Sequence, residues 1–201
     1  MSKPFSQACE NNKRPIHEIL SRHLSDVREV LEIGSGTGQH AVYFGEHLPH
    51  LIWQTSDRRV YHDGIRAWVT EADLDNVRPP LDLDVMVEPW PVDAVDAVFS
   101  ANTAHIMSWP MVVAFVAGAG RVLPLGGLFL LYGPFSYGGV HTSESNERFN
   151  LSLKSQDPAM GIRDFEAVGR LAQAAGMALV EDNAMPANNR LLVWRMTKQH
   201  P

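Results

Sequence analysis

From residue 28 to residue 196 the chain alternates two hydrophobic patterns. Seven short runs dense in β-branched and aromatic residues, REVLEI, LIWQTS, PLDLDV, AVDAVFSA, GLFLLYG, ALVEDN and RLLVWRM, read as strands. The stretches 38–48, 59–72, 109–122 and 162–175 carry apolar residues at helical spacing instead. In the last of these, Ile162, Phe165, Val168, Leu171, Ala172 and Ala175 share one face, with Gly161 before it and Gly176 at the usual C-terminal position. Strands alternating with helices predict an α/β fold, a doubly wound and mostly parallel seven-stranded sheet. Only Met185, Pro186, Ala187 and Asn188 separate the last two runs, too few for a crossover helix, so the sheet should end in an antiparallel hairpin. At the other end, Pro15 suits a first helical turn, and Ile16, Ile19, Leu20 and Leu24 follow at helical spacing; this predicts a capping helix over about 15–25.

One stretch breaks the alternation. Residues 134–160 read PFSYGGVHTSESNERFNLSLKSQDPAM, a connection far longer than a strand and a helix need. Its Phe135, Tyr137 and Phe149 give it something to pack with, so an ordered lid is expected, hinged at Gly138 and Gly139.

With 201 residues, the chain suits a single domain spanning 1–201. A net charge of −6 and the absence of any Lys/Arg run argue against a nucleic-acid partner and favour a small molecule. Cys9 is the only cysteine, which excludes an internal disulfide, and MSKPFSQACE lacks the apolar stretch of a secretory signal. No run is long enough to span a membrane, so the expected location is the cytoplasm. Nothing in the pattern sets an oligomeric state. The histidines, His47 and His50 included, form no metal-ligand spacing with Cys, Asp or Glu, so no metal is expected.

The candidate chemistry starts at VLEIGSGTGQ, residues 30–39, where the first strand turns toward the first helix of the alternation, the usual ligand site of an open α/β sheet. A dinucleotide fingerprint starting at Gly34 needs its third small residue at 39, which is Gln39; the third glycine is Gly38. Glu32 would repel a pyrophosphate, whereas it attracts the ammonium and sulfonium of S-adenosylmethionine. Asp57 lies nineteen residues beyond Gly38, at the end of the second strand, where it can accept both hydroxyls of an adenosine ribose. It would also repel a 2′-phosphate that the adjacent Arg58 and Arg59 might otherwise suggest. Asp84, closing PLDLDV at the end of the third strand, is placed for the adenine amino group; a turn cap is its alternative role. The predicted cofactor set is thus Glu32, Gly34, Ser35, Gly36, Thr37, Gly38, Asp57 and Asp84, with Asn102 beside the methyl donor.

EIGSGTG followed by WQTSD resembles class I S-adenosylmethionine-dependent methyltransferases over nearly the whole chain, the final hairpin included. More narrowly, ACENNKRPI, FSANTAHIMSW, LYGPF, HTSESN, GIRDFEAV and MPANNRLLVW resemble a methyltransferase-like family of bacteria and eukaryotes, formerly classed as a domain of unknown function. In that family an arginine commonly stands where this chain has Asn11. The resemblance implies a fold and a cofactor, S-adenosylmethionine, and no acceptor.

Methyl transfer from a sulfonium needs orientation and exclusion of water, and a general base is optional. Asn102 can donate and accept near the methyl group, and His105 has the ordinary range of a neutral-pH base; both also suit structural roles. Trp109, Tyr132, Tyr137, His141, Asn146, Asn188 and Asn189 are the candidates for a small-molecule acceptor, with burial, surface exposure and turn chemistry as their alternatives. No Asn-Pro-Pro-aromatic tetrapeptide marks an amino-group methyltransferase of DNA or protein. Two rivals remain: a non-catalytic module that binds adenosylmethionine or adenosylhomocysteine and regulates a partner, and an NAD-dependent reductase, disfavoured by charge and spacing.

Overall fold

The computed structural model describes residues 3–198. The chain divides into two compact units, one up to Ser100 and one from Ala101. Its main sheet has seven strands, mostly parallel, in the order β3-β2-β1-β4-β5-β10-β9. Among the described residues no helix is long and apolar enough to cross a membrane.

The first unit runs α1 (Gln7–His23), β1 (Glu29–Ile33), α2 (Gln39–His47), β2 (Ile52–Asp57), a 3-10 turn (Arg59–Tyr61), α3 (His62–Ala72), β3 (Val77–Asp82) and β4 (Ala97–Ala101). β1 pairs in parallel with β2 on one side and β4 on the other, and β2 pairs in parallel with β3. Parallel strands covered on both faces need near-continuous apolar runs, which is why Val30, Leu31 and Ile33 are all buried. Phe44 from α2 meets Trp53 at 5.2 Å and Phe99 at 5.6 Å between ring centroids, a cluster that fills the space behind the ends of β1 and β2.

Two expectations change here. α1 begins eight residues before Pro15, capped by the Ser6 hydroxyl, which accepts from Cys9 N at 3.4 Å. Pro15 lies inside the helix rather than in its first turn; Glu10 and Asn12, upstream of it, bond to Gln39 and His40 of α2, and these contacts stabilise the early turns. The third strand spans Val77–Asp82 rather than 80–85, because β3 is the outer strand of the sheet and an edge tolerates Pro79 and Pro80.

The second unit contains α4 (Trp109–Val122), β5 (Leu128–Gly133), β6 (Phe135–Tyr137), β7 (Val140–His141), α5 (Glu144–Gln156), β8 (Arg163–Asp164), α6 (Phe165–Ala174), β9 (Met177–Met185) and β10 (Asn189–Met196). β10 runs antiparallel to both β5 and β9, giving the terminal hairpin that the short link demanded. Its core stacks Trp194 on Phe129 at 5.4 Å, with Phe115 edge-on to Phe129. The 134–160 stretch is ordered into a small hairpin, β6 and β7, and the helix α5, with β8 pairing beside β6. α6 starts at Phe165 rather than 162, since Asp164 caps it by accepting from Ala167 N, and Ile162 N is bonded to Asn150 Oδ1 instead.

Gly176 closes α6 with φ +85°, and a β-carbon there would strike the carbonyl oxygen of Lys198. Gly176→Ala therefore combines left-handed strain with a backbone clash. We expect it to cost about 2–4 kcal/mol in urea unfolding, against under 1 kcal/mol if the β10 end simply yields.

Candidate functional site

In the first unit the site is built around the end of β1. Glu32 is 2% exposed. Its Oε2 accepts from Ser35 Oγ at 2.7 Å and from Trp53 Nε1 at 3.2 Å. Burial pushes its carboxyl from 4.5 up to about 7, against the pull of these two donors, and the nearby Asp57 charge adds to the rise. Glu32 is therefore only partly ionised at neutral pH, and a cation brought to it would complete the ionisation.

Immediately beyond it the chain turns sharply. Gly34, Gly36 and Gly38 all have positive φ. Gly38 is the most constrained, with φ +91° and a β-carbon position 3.1 Å from Ile65 Cα and 3.2 Å from Trp68 Cβ, so a side chain there would be both strained and crowded. At Gly36 the same direction is open. The loop is fixed from below: Gly34 N and Ser35 N donate to Ser56 O at 3.1 and 2.9 Å, and Ser56 N donates to Ser35 Oγ at 3.1 Å. Thr37 Oγ1 accepts from Gln39 N and so begins α2 in place of the side chain that Gly38 lacks.

Asp57 ends β2 and reaches back to the loop, Oδ2 accepting from Gly36 N at 2.9 Å and Oδ1 from Arg58 N at 2.8 Å. Burial raises its carboxyl, opposed by those two amides. Each oxygen keeps lone-pair capacity for a further donor. Arg59 is paired with Asp82 and Arg58 lies against Tyr61. Asp84 is two residues past β3, in a turn where Oδ1 accepts from Met86 N at 2.9 Å. It does not end the strand as predicted; the turn-cap role accounts for this contact.

The second unit gathers a separate polar group. Asn102 follows β4 with φ +60°, a conformation that asparagine tolerates better than most residues, and its N–H donates to the buried Tyr132 carbonyl at 2.9 Å. His105 is 7% exposed, edge-on to Phe149 at 5.3 Å. Burial, then the Arg163 charge, pulls its imidazole down to about 4, so it is neutral at pH 7 and a weak base there, contrary to the range expected for a free histidine. Arg163 itself donates to the carbonyls of Ala104, Met107 and Ala159, bracing the turn that carries His105.

HTSESN and MPANN meet as well. The buried Asn146, in the first turn of α5, donates from Nδ2 to Thr142 Oγ1 and to Asn188 O, each at 3.0 Å, and Asn188 Nδ2 donates to Ser145 Oγ at 3.2 Å. His141 in β7 holds a buried Nδ1 with no hydrogen-bond partner. Two other candidates, Tyr137 and Asn189, turn to structural contacts, and Trp109 does not. Tyr137 donates its hydroxyl to Asp182 at 2.8 Å and stacks on Phe165. Asn189 donates to Pro186 O within its own turn. Trp109 opens α4 and is 38% exposed, so burial does not explain it.

Sequence reasoning missed Trp53 as a donor to Glu32, Gln39 and His40 as anchors of α1, and Asn150 and Arg163 as braces of the second unit. Trp53 was findable from the register, since parallel pairing of Val30 with Trp53 and Glu32 with Thr55 sets the indole next to the acid. The others depend on contacts across many residues and leave no local pattern.

A family model described as a protein of unknown function (DUF938) matches residues 3–196. Among solved structures, an O-methyltransferase family protein from Burkholderia thailandensis aligns with TM-score 0.81 at 16% identity, over 94% of this chain and 57% of that one. The S-adenosylmethionine-dependent methyltransferase SibL aligns with TM-score 0.80 at 19% identity, over 94% and 56%. Human N-acetylserotonin methyltransferase, solved with adenosylmethionine, aligns with TM-score 0.75 at 14% identity, over 92% and 55%. The chain thus has the class I methyltransferase fold and spans a little over half the length of these structures.

Because Glu32 binds its proton more tightly folded than unfolded, it lowers stability as pH rises from about 4.5 to about 7, and the loss is then complete. Glu32→Gln keeps the shape and an oxygen for Ser35 and Trp53 without the charge. Thermal unfolding should show the variant matching the parent at pH 4.5 and gaining roughly 5 °C at pH 8. An equal difference at both pH values would mean that the acid is not held uncharged by burial.

Proposed function

The chain belongs to the family described as a protein of unknown function (DUF938), and from its fold and the β1 loop we propose an S-adenosylmethionine-dependent methyltransferase acting on a small molecule. The observation that carries this reading is the buried Glu32 under a glycine loop, with neutral donors as its contacts and a carboxyl raised to about 7. Such a group repels a pyrophosphate and is completed by an ammonium.

The residues present fit the methyl donor. Glu32 holds its ammonium by charge, the backbone at Gly34, Ser35, Gly36 and Thr37 lines the open side of the loop, and Asp57 accepts from the ribose hydroxyls with the lone pairs left by Gly36 and Arg58. The 84–86 turn, fixed by the Asp84 side chain, serves the adenine edge. When bound, S-adenosylmethionine supplies a methyl group already activated on sulfur. What the chain adds is orientation and dryness. Asn102, Tyr132 and His105 orient the acceptor, His105 as a neutral hydrogen-bonding group rather than a store for the proton. Asn146, His141, Asn188 and Trp109 belong to the acceptor side, with 134–160 as its cover, and the whole chain works as one methyltransferase domain. Solved relatives in fold include a mitomycin 7-O-methyltransferase, which makes a small hydroxylated acceptor the first class to try.

The depressed His105 favours one rival, a module that binds the donor or its product without turnover. Incubating extract metabolites with labelled donor separates the two, because the rival transfers no label while binding persists.

Calorimetric titration at pH 8 should show binding of adenosylhomocysteine and none of NAD. Since the ligand prefers ionised Glu32, affinity should fall by up to about tenfold per unit as pH drops below 7. Glu32→Gln should flatten that profile and weaken adenosylhomocysteine more than adenosine. Tight NAD binding without adenosylhomocysteine binding would sink the reading.

A further inference from the structure

Gln39 stands where a dinucleotide fingerprint starting at Gly34 would need a small residue. In the structure it is 3% exposed at the first position of α2 and uses both ends of its amide. Oε1 accepts from Ser6 N at 2.5 Å and from Thr37 Oγ1 at 3.1 Å. Nε2 donates to Ser6 O at 3.4 Å and to Glu10 Oε1 at 2.9 Å. One side chain thus joins the glycine loop, through Thr37, to the N-terminal segment, through Ser6 and Glu10.

Upstream of Ser6 that segment lies along α3. Pro4 rests on Gly64, where a β-carbon would come within 2.7 Å of the proline ring, and its carbonyl accepts from Trp68 Nε1 at 2.7 Å. Lys3 Nζ is 3.5 Å from the Trp68 ring centroid and 2.6 Å from Glu71 Oε1. Trp68 is also one of the residues that would crowd a side chain at Gly38. The segment Lys3–Ser6 is therefore fastened on both flanks of the glycine loop, at α3 by exposed contacts and at α2 by a buried amide. Exposed ion pairs hold weakly, whereas a buried amide deprived of its partners is strongly disfavoured.

We propose that Lys3–Ser6 is a strap across the methyl-donor loop and that Gln39 is its latch, a positioning residue that sets how long the donor or its product stays bound. The proposal rests on the methyltransferase reading. Lifting the strap breaks both Gln39 contacts to Ser6 and leaves its amide held only by Thr37 and Glu10, so release of ligand is tied to release of the latch.

Gln39→Glu keeps the size and the acceptor for Ser6 N, and sets a second carboxylate against Glu10. In stopped-flow displacement at pH 8, adenosylhomocysteine should leave this variant at least tenfold faster than the parent. Adding Glu10→Gln restores an N–H···O contact of reversed polarity and should return the rate to within about threefold of the parent. A purely packing role for Gln39 would give no such rescue. Hydrogen exchange should show the 3–9 amides protected by adenosylhomocysteine in the parent and the double variant, and not in Gln39→Glu. If Gln39→Glu does not fold, Trp68→Phe, which removes the donor to Pro4, should speed dissociation in the same direction. If the parent binds adenosylhomocysteine and neither substitution changes its dissociation rate twofold, the latch is wrong and the methyl-donor reading survives. If the parent does not bind it, both fall.

Discussion

A carboxylate held almost entirely out of water at the end of β1 is the constraint around which the first unit is arranged. Burying such a charge is costly unless it is neutralised or well bonded, and Glu32 is served by both routes in part. Its proton is retained up to about pH 7, and Ser35 and Trp53 supply two donors to one oxygen. The same Ser35 hydroxyl accepts from Ser56 N, so the bond that satisfies the acid also joins the end of β1 to the end of β2. Trp53, one of those donors, is itself held by ring contacts with Phe44 and Phe99. The left-handed turns of the glycine loop then carry the chain away from the acid at once, leaving its approach to backbone rather than side chains.

That arrangement costs stability. An acid held above its ordinary range, three left-handed glycines in five residues and a buried amide that depends on a terminal segment each cost folding free energy. They are tolerated because the parallel core strands and the Phe44–Trp53–Phe99 cluster bury enough apolar surface to offset them. The cost is gathered at one loop: a buried acid and three turns that only glycine takes without steric strain, beside a close-packed core.

The β1 loop was legible because every residue it needs lies in ten consecutive positions, and the ligand's charge could be tested against Glu32 without any fold. The strand runs and the terminal hairpin were legible for a similar reason, since periodicity and link length are local. Proline misled twice. Pro15 looked like a helix start and sits inside a helix whose first turns are stabilised by Gln39 and His40, and the third strand, read as starting at Pro80, begins three residues earlier because an edge position admits Pro79 and Pro80 in its interior. α5 escaped notice because only Asn146, Asn150 and Leu153 of its thirteen residues are buried, two of them polar, so it has no apolar stripe to see. The behaviour of His105 was out of reach for a different reason, being set by burial and by Arg163, fifty-eight positions away in the chain.

The two polar groups differ in kind, and the difference explains what a sequence of this type can disclose. The first is governed by one buried carboxylate, and charge is a coarse, long-ranged property that survives ignorance of geometry. The second consists of amides, hydroxyls and a neutral imidazole: Asn102, Thr142, Asn146, Asn188, Ser145 and His105. Amides and hydroxyls donate and accept alike, so their selectivity lies in angles and spacing, not in residue type. Those residues also come from three stretches widely separated in the chain, and are brought together by α5 docking on the β9–β10 turn and by Arg163 bracing the segment after β4. A charged group in one contiguous loop can be read from residue order; a neutral polar group assembled from distant stretches is specified only once the chain has folded.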